Sequence, residues 1–471
     1  MIKWKQISSL VLATGMVLSM TACGGSGNDT QTPATNAPAA TDAAGSEEAS
    51  TGTNLEDLKL GDYADLTANI KLLTNRTDLI DTAFKDYVAK FNEIYPNITV
   101  EVSGETDYES TVITRLTTPD WGTICMIPNG VQKSELSTYF EPLGSTEKLS
   151  ENYEFMTAKE YQGTVYGIPS LGNASGIVYN KKVFEKAGIT ELPKTPDEFL
   201  DALQKIKDNT DAIPMYSNFA AGWTMGAWDD YIAGTATGDA TYKNQKLVHT
   251  KDPFAKRDDM TGPYAVYYIL YEATARGLIE DNPVTSDWEG SKPMMNNGEI
   301  GTMVLGSWAV SQMQEAGPNP DDVAYMPFPI TQPDGKQYAG SGADYAFAVN
   351  VNATDDEKLA AKLFIKWMTE ESGYAYSQGG IPIVKGAEKP DTLAAFEGVE
   401  LLVDAPALEG EEDLFDTINN ESEVGINSDD KPDADILEAA MDKSKTLDEI
   451  MAEWNQKWSD AQESEGVEVQ Y

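Results

Sequence analysis

Between residues 70 and 102 the spacing of apolar side chains changes twice. Ile70-Lys-Leu-Leu-Thr74 is a short apolar run of strand type. Leu79, Ile80, Ala83, Phe84, Tyr87, Val88 and Phe91 then recur at helical spacing until Tyr95-Pro96-Asn97 stops them. Ile98-Thr-Val-Glu-Val102 reads as strand again. Strand, helix, strand over so short a stretch is a βαβ unit, which predicts parallel strands, because a parallel pair needs a long crossover. A short helix over 107–116 and a buried strand over 124–127 continue the alternation. Later helices announce their starts. Thr195-Pro196-Asp197-Glu198 supplies an N-cap, a first-turn proline and a capping-box glutamate, and Phe199, Leu200, Leu203 and Ile206 follow as an apolar stripe. Thr354-Asp355-Asp356-Glu357 repeats the box before Ala360, Leu363, Phe364 and Trp367. Strand-type runs lie between, at 301–305 and 345–349. The whole is α/β.

The chain of 471 residues is long enough for two domains or one large two-lobed one. Its formal net charge of −43 excludes nucleic acid as a partner, because phosphate backbones demand a basic face. It equally argues against charge-driven binding to anionic lipid headgroups. A single histidine, His249, removes most metal sites and serine–histidine–aspartate schemes. No zinc spacing, phosphate loop or dinucleotide fingerprint occurs, so neither a metal nor a cofactor is expected. Of the two cysteines, Cys125 sits in an apolar run and reads as structural.

Cys23 reads differently. Lys3 and Lys5 precede a mostly apolar stretch from Ile7 to Met20, which Thr21-Ala22-Cys23-Gly24 closes with small residues. The stretch is too short to span a membrane and reads as a secretion signal. Its end resembles a bacterial lipobox, with Met20 in place of the usual leucine. That resemblance implies that residues 1–22 are removed and that Cys23 carries a lipid. Residues 23–60 hold few large apolar side chains and are expected to be a disordered tether. The folded part is expected to start near Leu66.

Several segments resemble family 1 extracellular solute-binding proteins of ABC importers, the maltose-binding-protein group. They are Tyr161-Gln-Gly-Thr-Val-Tyr-Gly-Ile-Pro169, Gly176-Ile-Val-Tyr-Asn-Lys181, Phe184-Glu-Lys-Ala-Gly-Ile189, and Pro193-Lys-Thr-Pro-Asp-Glu-Phe199. Asn297-Gly-Glu-Ile-Gly-Thr-Met303 running into Gly306-Ser-Trp308, and Ala343 to Val349 before Phe364-Ile-Lys-Trp-Met368, extend the likeness to about residues 66–390. One departure is Trp121-Gly122-Thr123, inserted between Pro119-Asp120 and the following strand.

The resemblance implies a two-lobed periplasmic-binding-protein fold of class II type. Each lobe would be a mostly parallel sheet flanked by helices, with a ligand cleft between them. The expected first lobe is residues 61–174 plus 339–385, and the second 175–338 plus 386–471. The implied function is a monomeric, non-enzymatic, lipid-anchored receptor on a Gram-positive surface. It would capture a carbohydrate and deliver it to ABC permease subunits.

Sugars present apolar C–H faces and hydroxyl rims, so their sites need aromatic plates and polar side chains. Trp308 matches the family's sugar-stacking position. Trp223, in a glycine- and alanine-rich loop, is a second plate, with Trp228 either its partner or a buried neighbour. Polar candidates lie at strand ends and lobe crossings: Asn75, Arg76, Asp78, Asp107, Asn129, Asn173, Asp344 and Tyr345. Asp78 and Asp107 serve equally as helix caps, and Asn129 as a turn residue. The acidic segment from Glu411 to Asp435 reads as solvated surface. Two readings compete with the receptor: a secreted polysaccharide hydrolase or lyase using two carboxylates, and the same fold carrying a peptide, polyol or metal chelate.

Overall fold

Two leucines set where ordered packing begins. The computed structural model describes residues 53–427 and 432–471, within the compact unit Ser50–Tyr471. The expected leader, Cys23 and most of the tether lie outside the described residues. The tether's expected end does not. Leu55 and Leu58 are buried in the first core, and the Leu55 amide donates to the Leu143 carbonyl at 2.7 Å. The folded part therefore starts before Leu66, because two leucines anchor an otherwise polar stretch.

From there the chain builds two large sheets and crosses between them, beside a small three-stranded one formed by Gly144–Ser145, Glu160–Tyr161 and Thr164–Val165. β1 (Ala68–Thr74), β2 (Ile98–Gly104) and β3 (Ile124–Met126) are parallel neighbours with β1 in the middle. β4 (Ile168–Pro169) lies at the far edge of that sheet, and β5 (Gly172–Asn180) carries the chain into the second. β6 (Ile213–Met215), β7 (Ile300–Gly306) and β8 (Val323–Pro327) follow there. β9 (Tyr338–Ala343) leads back, β10 (Ala346–Val349) inserts between β3 and β4, and β11 (Glu400–Leu402) ends beside β9. The first sheet has the order β2-β1-β3-β10-β4. The second has β11-β9-β5-β7-β6, with β8 also on β5.

Both sheets are mixed, where the sequence predicts mostly parallel ones. The βαβ logic holds for β1, β2 and β3, which helices connect. β10 arrives from the other lobe and runs antiparallel to β3 and β4. β5 likewise enters from outside its sheet and is antiparallel to β7, β8 and β9. The pairs β6/β7 and β9/β11 remain parallel. Lobe crossings, not βαβ units, thus set the direction of the central strands. The crossings lie side by side: Asn173 pairs with Gly342, and Gly172 and Ile381 exchange two backbone hydrogen bonds of 2.7 Å.

Each lobe has its own core. Residues from Leu55 to Leu171 and from Phe347 to Ile383 form the first, with Phe91 edge-on to Phe364 at 5.1 Å. Cys125 lies fully buried within it, and burial pushes its thiol up, as suits a structural cysteine. The helical pattern expected from Leu79 onward is interrupted: a 3₁₀ turn covers Thr77–Leu79, and the helix proper is Ala83–Ile94. The second lobe buries Phe199, Leu200, Leu203 and Ile206 of the helix Pro196–Asn209. The acidic stretch after Glu411 is not all solvated surface either. Ile418, Val424, Ile426 and Asp433 within it are buried, because apolar positions among the acids dock on the second lobe.

The box before the helix Asp355–Glu370 closes in both directions. Thr354 Oγ accepts from the Glu357 amide, and Glu357 Oε2 accepts from the Thr354 amide at 2.9 Å. Thr354→Ala should lower stability by about 1 kcal/mol, read as a lower urea midpoint with an unchanged slope. At Thr195 only half the box forms, since the Glu198 carboxylate accepts from the Lys194 amide instead.

Candidate functional site

β6 and β7 are parallel neighbours, so their carboxyl ends share one edge of the second sheet, the edge where open sheets bind ligands. Trp308 follows the end of β7. A Cβ on Gly306 would sit 2.6 Å from Trp308 Nε1, so glycine there lets the indole fold back over the strand end. Trp223 ends the loop after β6. Ser217 fastens that loop, with its amide and hydroxyl donating to the Glu280 carboxylate at 2.8 and 2.6 Å. Trp288, which the sequence reading missed, opens the helix Trp288–Asn297, where Asp287 is the N-cap. Trp288 is 5.2 Å from Trp223 and 5.7 Å from Trp308 between ring centroids, and Trp223 is 5.6 Å from Trp308. Lys292 Nζ lies 4.8 Å above the Trp288 ring and also binds Glu289. Trp223 is 47% exposed, while Trp228 is 2% exposed and packs edge-on against Phe328. Trp228 is thus the buried neighbour, while the Trp223 ring stays accessible.

The first lobe brings its candidates to a matching edge. Asn75, Arg76 and Asp78 follow β1, Asp107 follows β2, and Asn129 follows β3. The Arg76 fork grips Asp78 twice, Nε to Oδ1 at 2.9 Å and Nη2 to Oδ2 at 2.7 Å. Asp78 is therefore not a helix cap; Thr82 occupies that position. Burial alone would raise the Asp78 carboxyl, but the Arg76 bonds outweigh it and hold it below the usual carboxylate range. Burial also opposes the Arg76 charge, and the Asp78 bond outweighs it there too. Asn75 is half-buried, and its carbonyl accepts from the Thr77 amide at 3.1 Å. Asp107 does occupy the N-cap position of the helix Tyr108–Leu116, but its side chain caps nothing and is exposed.

Glu109 collects the next group, again unforeseen from sequence. The Asn129 amide donates to its two oxygens at 3.1 and 3.0 Å, and the Tyr345 hydroxyl donates to it as well. Tyr345 also stands edge-on to Tyr108 at 5.7 Å. At the crossings, Asn173 Nδ2 donates to Asp344 Oδ2 at 3.1 Å, and the Tyr345 amide donates to Oδ1 at 2.6 Å. Burial pushes the Asp344 carboxyl up, against these donors and the nearby Arg76 charge. Two predicted ligand residues, 171 positions apart, thus bond to each other.

The two edges face one another electrostatically. Glu315 of the second lobe acts on the Arg76–Asp78 pair, and Lys292 acts on Asp78. Among the described residues no cluster of three or more His, Cys, Asp or Glu could hold a metal ion. Three indoles opposite a guanidinium and carboxylates suit a neutral ligand with apolar faces and a hydroxyl rim.

A family model for bacterial extracellular solute-binding proteins matches residues 77–375. A multiple sugar-binding protein of Streptococcus mutans serotype c is 24% identical over 367 residues, 74% of this chain and 84% of that protein. Two solved structures from Bifidobacterium animalis subsp. lactis are nearer. A manno-oligosaccharide-specific solute-binding protein in complex with mannotriose is 50% identical, with a TM-score of 0.83, and the match covers 88% of this chain and 99% of that one. An ABC-transporter binding protein in complex with mannobiose is 49% identical, with the same TM-score and coverage. Maltose-bound MalE3 of T. maritima, 18% identical with a TM-score of 0.57 over 83% of this chain and 99% of that one, shares the fold.

Proposed function

Because the chain belongs to the bacterial extracellular solute-binding protein family, we propose that it captures a short manno-oligosaccharide and delivers it to the permease of an ABC importer. The observation that carries this reading is the cluster of Trp223, Trp288 and Trp308 at the carboxyl edge of β6 and β7. Half identity to a mannotriose-bound protein over nearly its whole length narrows the sugar class. Trp223 and Trp308 serve as plates. Arg76 and Asp78, with Asn75 beside them, meet hydroxyls from the first lobe. Asp107, the group of Asn129 and Tyr345 on Glu109, and the Asn173–Asp344 pair at the crossings line the remaining wall.

The mechanism is a population shift. A ligand touching both lobes favours the arrangement in which both touch it, and the lobes hinge at the crossings. No covalent chemistry is involved. Lipidation at Cys23 would hold the receptor at the outer face of a Gram-positive membrane, within reach of its permease.

The test is a thermal-shift screen of the chain from residue 24 against mannobiose, mannotriose, maltotriose, polyols and peptides. A cognate sugar at about a hundred times its dissociation constant adds about 2.7 kcal/mol. The expected result is a shift with the mannosides. A shift with peptides or polyols alone, or turnover of the sugar, would overturn the reading.

A further inference from the structure

The helix Trp308–Glu315 has most of its surface engaged. Ala309, Val310 and Met313 are fully buried in the second lobe. Ser311 is 5% exposed and faces the crossing segment, where a Cβ on Gly379 would lie 3.8 Å from its own. Gln314 Nε2 donates to the Val323 carbonyl at 3.1 Å. Trp308, Gln312 and Glu315 remain. Their spacing of i, i+4 and i+7 makes them one stripe along one helix face. Gln312 is half-buried and Glu315 exposed, and neither side chain forms a hydrogen bond or close ion pair with any described residue.

The stripe begins at an aromatic plate and ends opposite the other lobe. Glu315 lies within electrostatic reach of Arg76 and Asp78. Glu315 lies seven helical steps beyond Trp308, roughly 10 Å along the axis. One pyranose ring does not span that distance; two or three linked rings do.

Building on the manno-oligosaccharide reading, we propose that Gln312 and Glu315 are further ligand-binding residues, and that this stripe makes the site select a chain over a single sugar. The ring on Trp308 is followed by a second ring whose hydroxyls meet the Gln312 amide and the Glu315 carboxylate. The amide both donates and accepts, and the carboxylate accepts from two hydroxyls. Arg76 spends Nε and Nη2 on Asp78, so its other N–H groups donate to the same ring from the first lobe.

The test is calorimetric titration of mannose, mannobiose and mannotriose into three proteins: the unaltered chain, the double variant Gln312→Ala/Glu315→Ala, and Trp308→Ala. Neither altered side chain hydrogen-bonds to a described residue and alanine favours helix, so the double variant should melt close to the parent. The expected result is a loss of about tenfold or more for mannobiose and mannotriose, with mannose within about twofold. If the double variant binds mannobiose like the parent while Trp308→Ala does not, the stripe is overturned and the receptor reading stands. Equal losses for mannose and mannotriose would overturn the chain-length role. No binding of any of these sugars by the parent would overturn the receptor reading and the stripe together.

Discussion

Trp308→Ala should weaken mannotriose binding about a hundredfold while the ligand-free protein stays folded. An indole covered by a bound ligand and held by neighbours behaves as a hot spot, with truncation costing about 3 kcal/mol, close to a factor of a hundred. Trp308 is placed for this. It is half-buried, leaves the end of β7 over a glycine, and is braced by Trp223 and Trp288. Its loss leaves those two still in contact at 5.2 Å, so the cluster shrinks rather than dissolves. Trp308→Phe keeps an aromatic face and should recover most of the affinity. Titration calorimetry reads the affinity and a urea melt reads the fold. Unchanged mannotriose affinity in Trp308→Ala would mean that the aromatic cluster is not the sugar plate.

The contrast between Trp308 and Trp288 shows what the sequence could and could not reveal. Trp308 follows a strand and a glycine step, a local pattern that places a side chain at the carboxyl edge of a sheet. Trp288 opens a helix, and reaches the same edge only because that helix runs back antiparallel to β7. The one hint was Asp287, a cap marking the helix start at that edge. Glu109, Lys292 and Glu315 carry no local signal at all, since their neighbours come from remote parts of the chain. The alternation from residue 70 to 127 gave the first three strands and their direction. The mixed sheets escaped it because β5 and β10 enter from the opposite lobe, which no local period records. In the acidic C-terminal stretch, the charge run masked the few apolar positions that dock it.

That same stretch carries the second large effect: between pH 4 and pH 8 the second lobe should lose stability as pH rises, and Asp433→Asn should remove the part of that loss that Asp433 contributes. Asp229 is 1% exposed and Asp433 is 0% exposed. Asp229 accepts from the Tyr267 hydroxyl at 2.7 Å and from the Asn427 amide at 2.6 Å. With both acids ionised, neither Asp433 oxygen has a donor within reach among the described residues. A proton between the two carboxyls supplies one, and Asp433 then donates to Asp229. Burial pushes Asp229 from 3.8 up to about 6 despite its donors, and burial together with the Asp229 charge pushes Asp433 well above the usual range. Asp230 adds further negative charge to both, Tyr267 contributes only its neutral hydroxyl, and among the described residues no lysine or arginine bonds to either carboxylate. The sign follows. Unfolded aspartates release their protons near pH 4, whereas the folded pair retains one to higher pH, so the native state binds more protons. Stability is complete below about pH 4 for this pair and is lost as pH rises through about 6 and beyond. Other carboxylates act in the opposite sense in acid, so the useful reading is the difference between the two proteins. Asparagine at 433 donates an N–H to Asp229 with no proton required. Urea midpoints should therefore agree near pH 4 and diverge with rising pH, the variant becoming the more stable at pH 8. Parallel midpoint curves would show that the pair does not govern the slope. The effect bears on binding because Asp229 lies six residues beyond Trp223, on the segment that presents that ring. Loosening the helix Pro432–Asp442 at high pH would release that segment first.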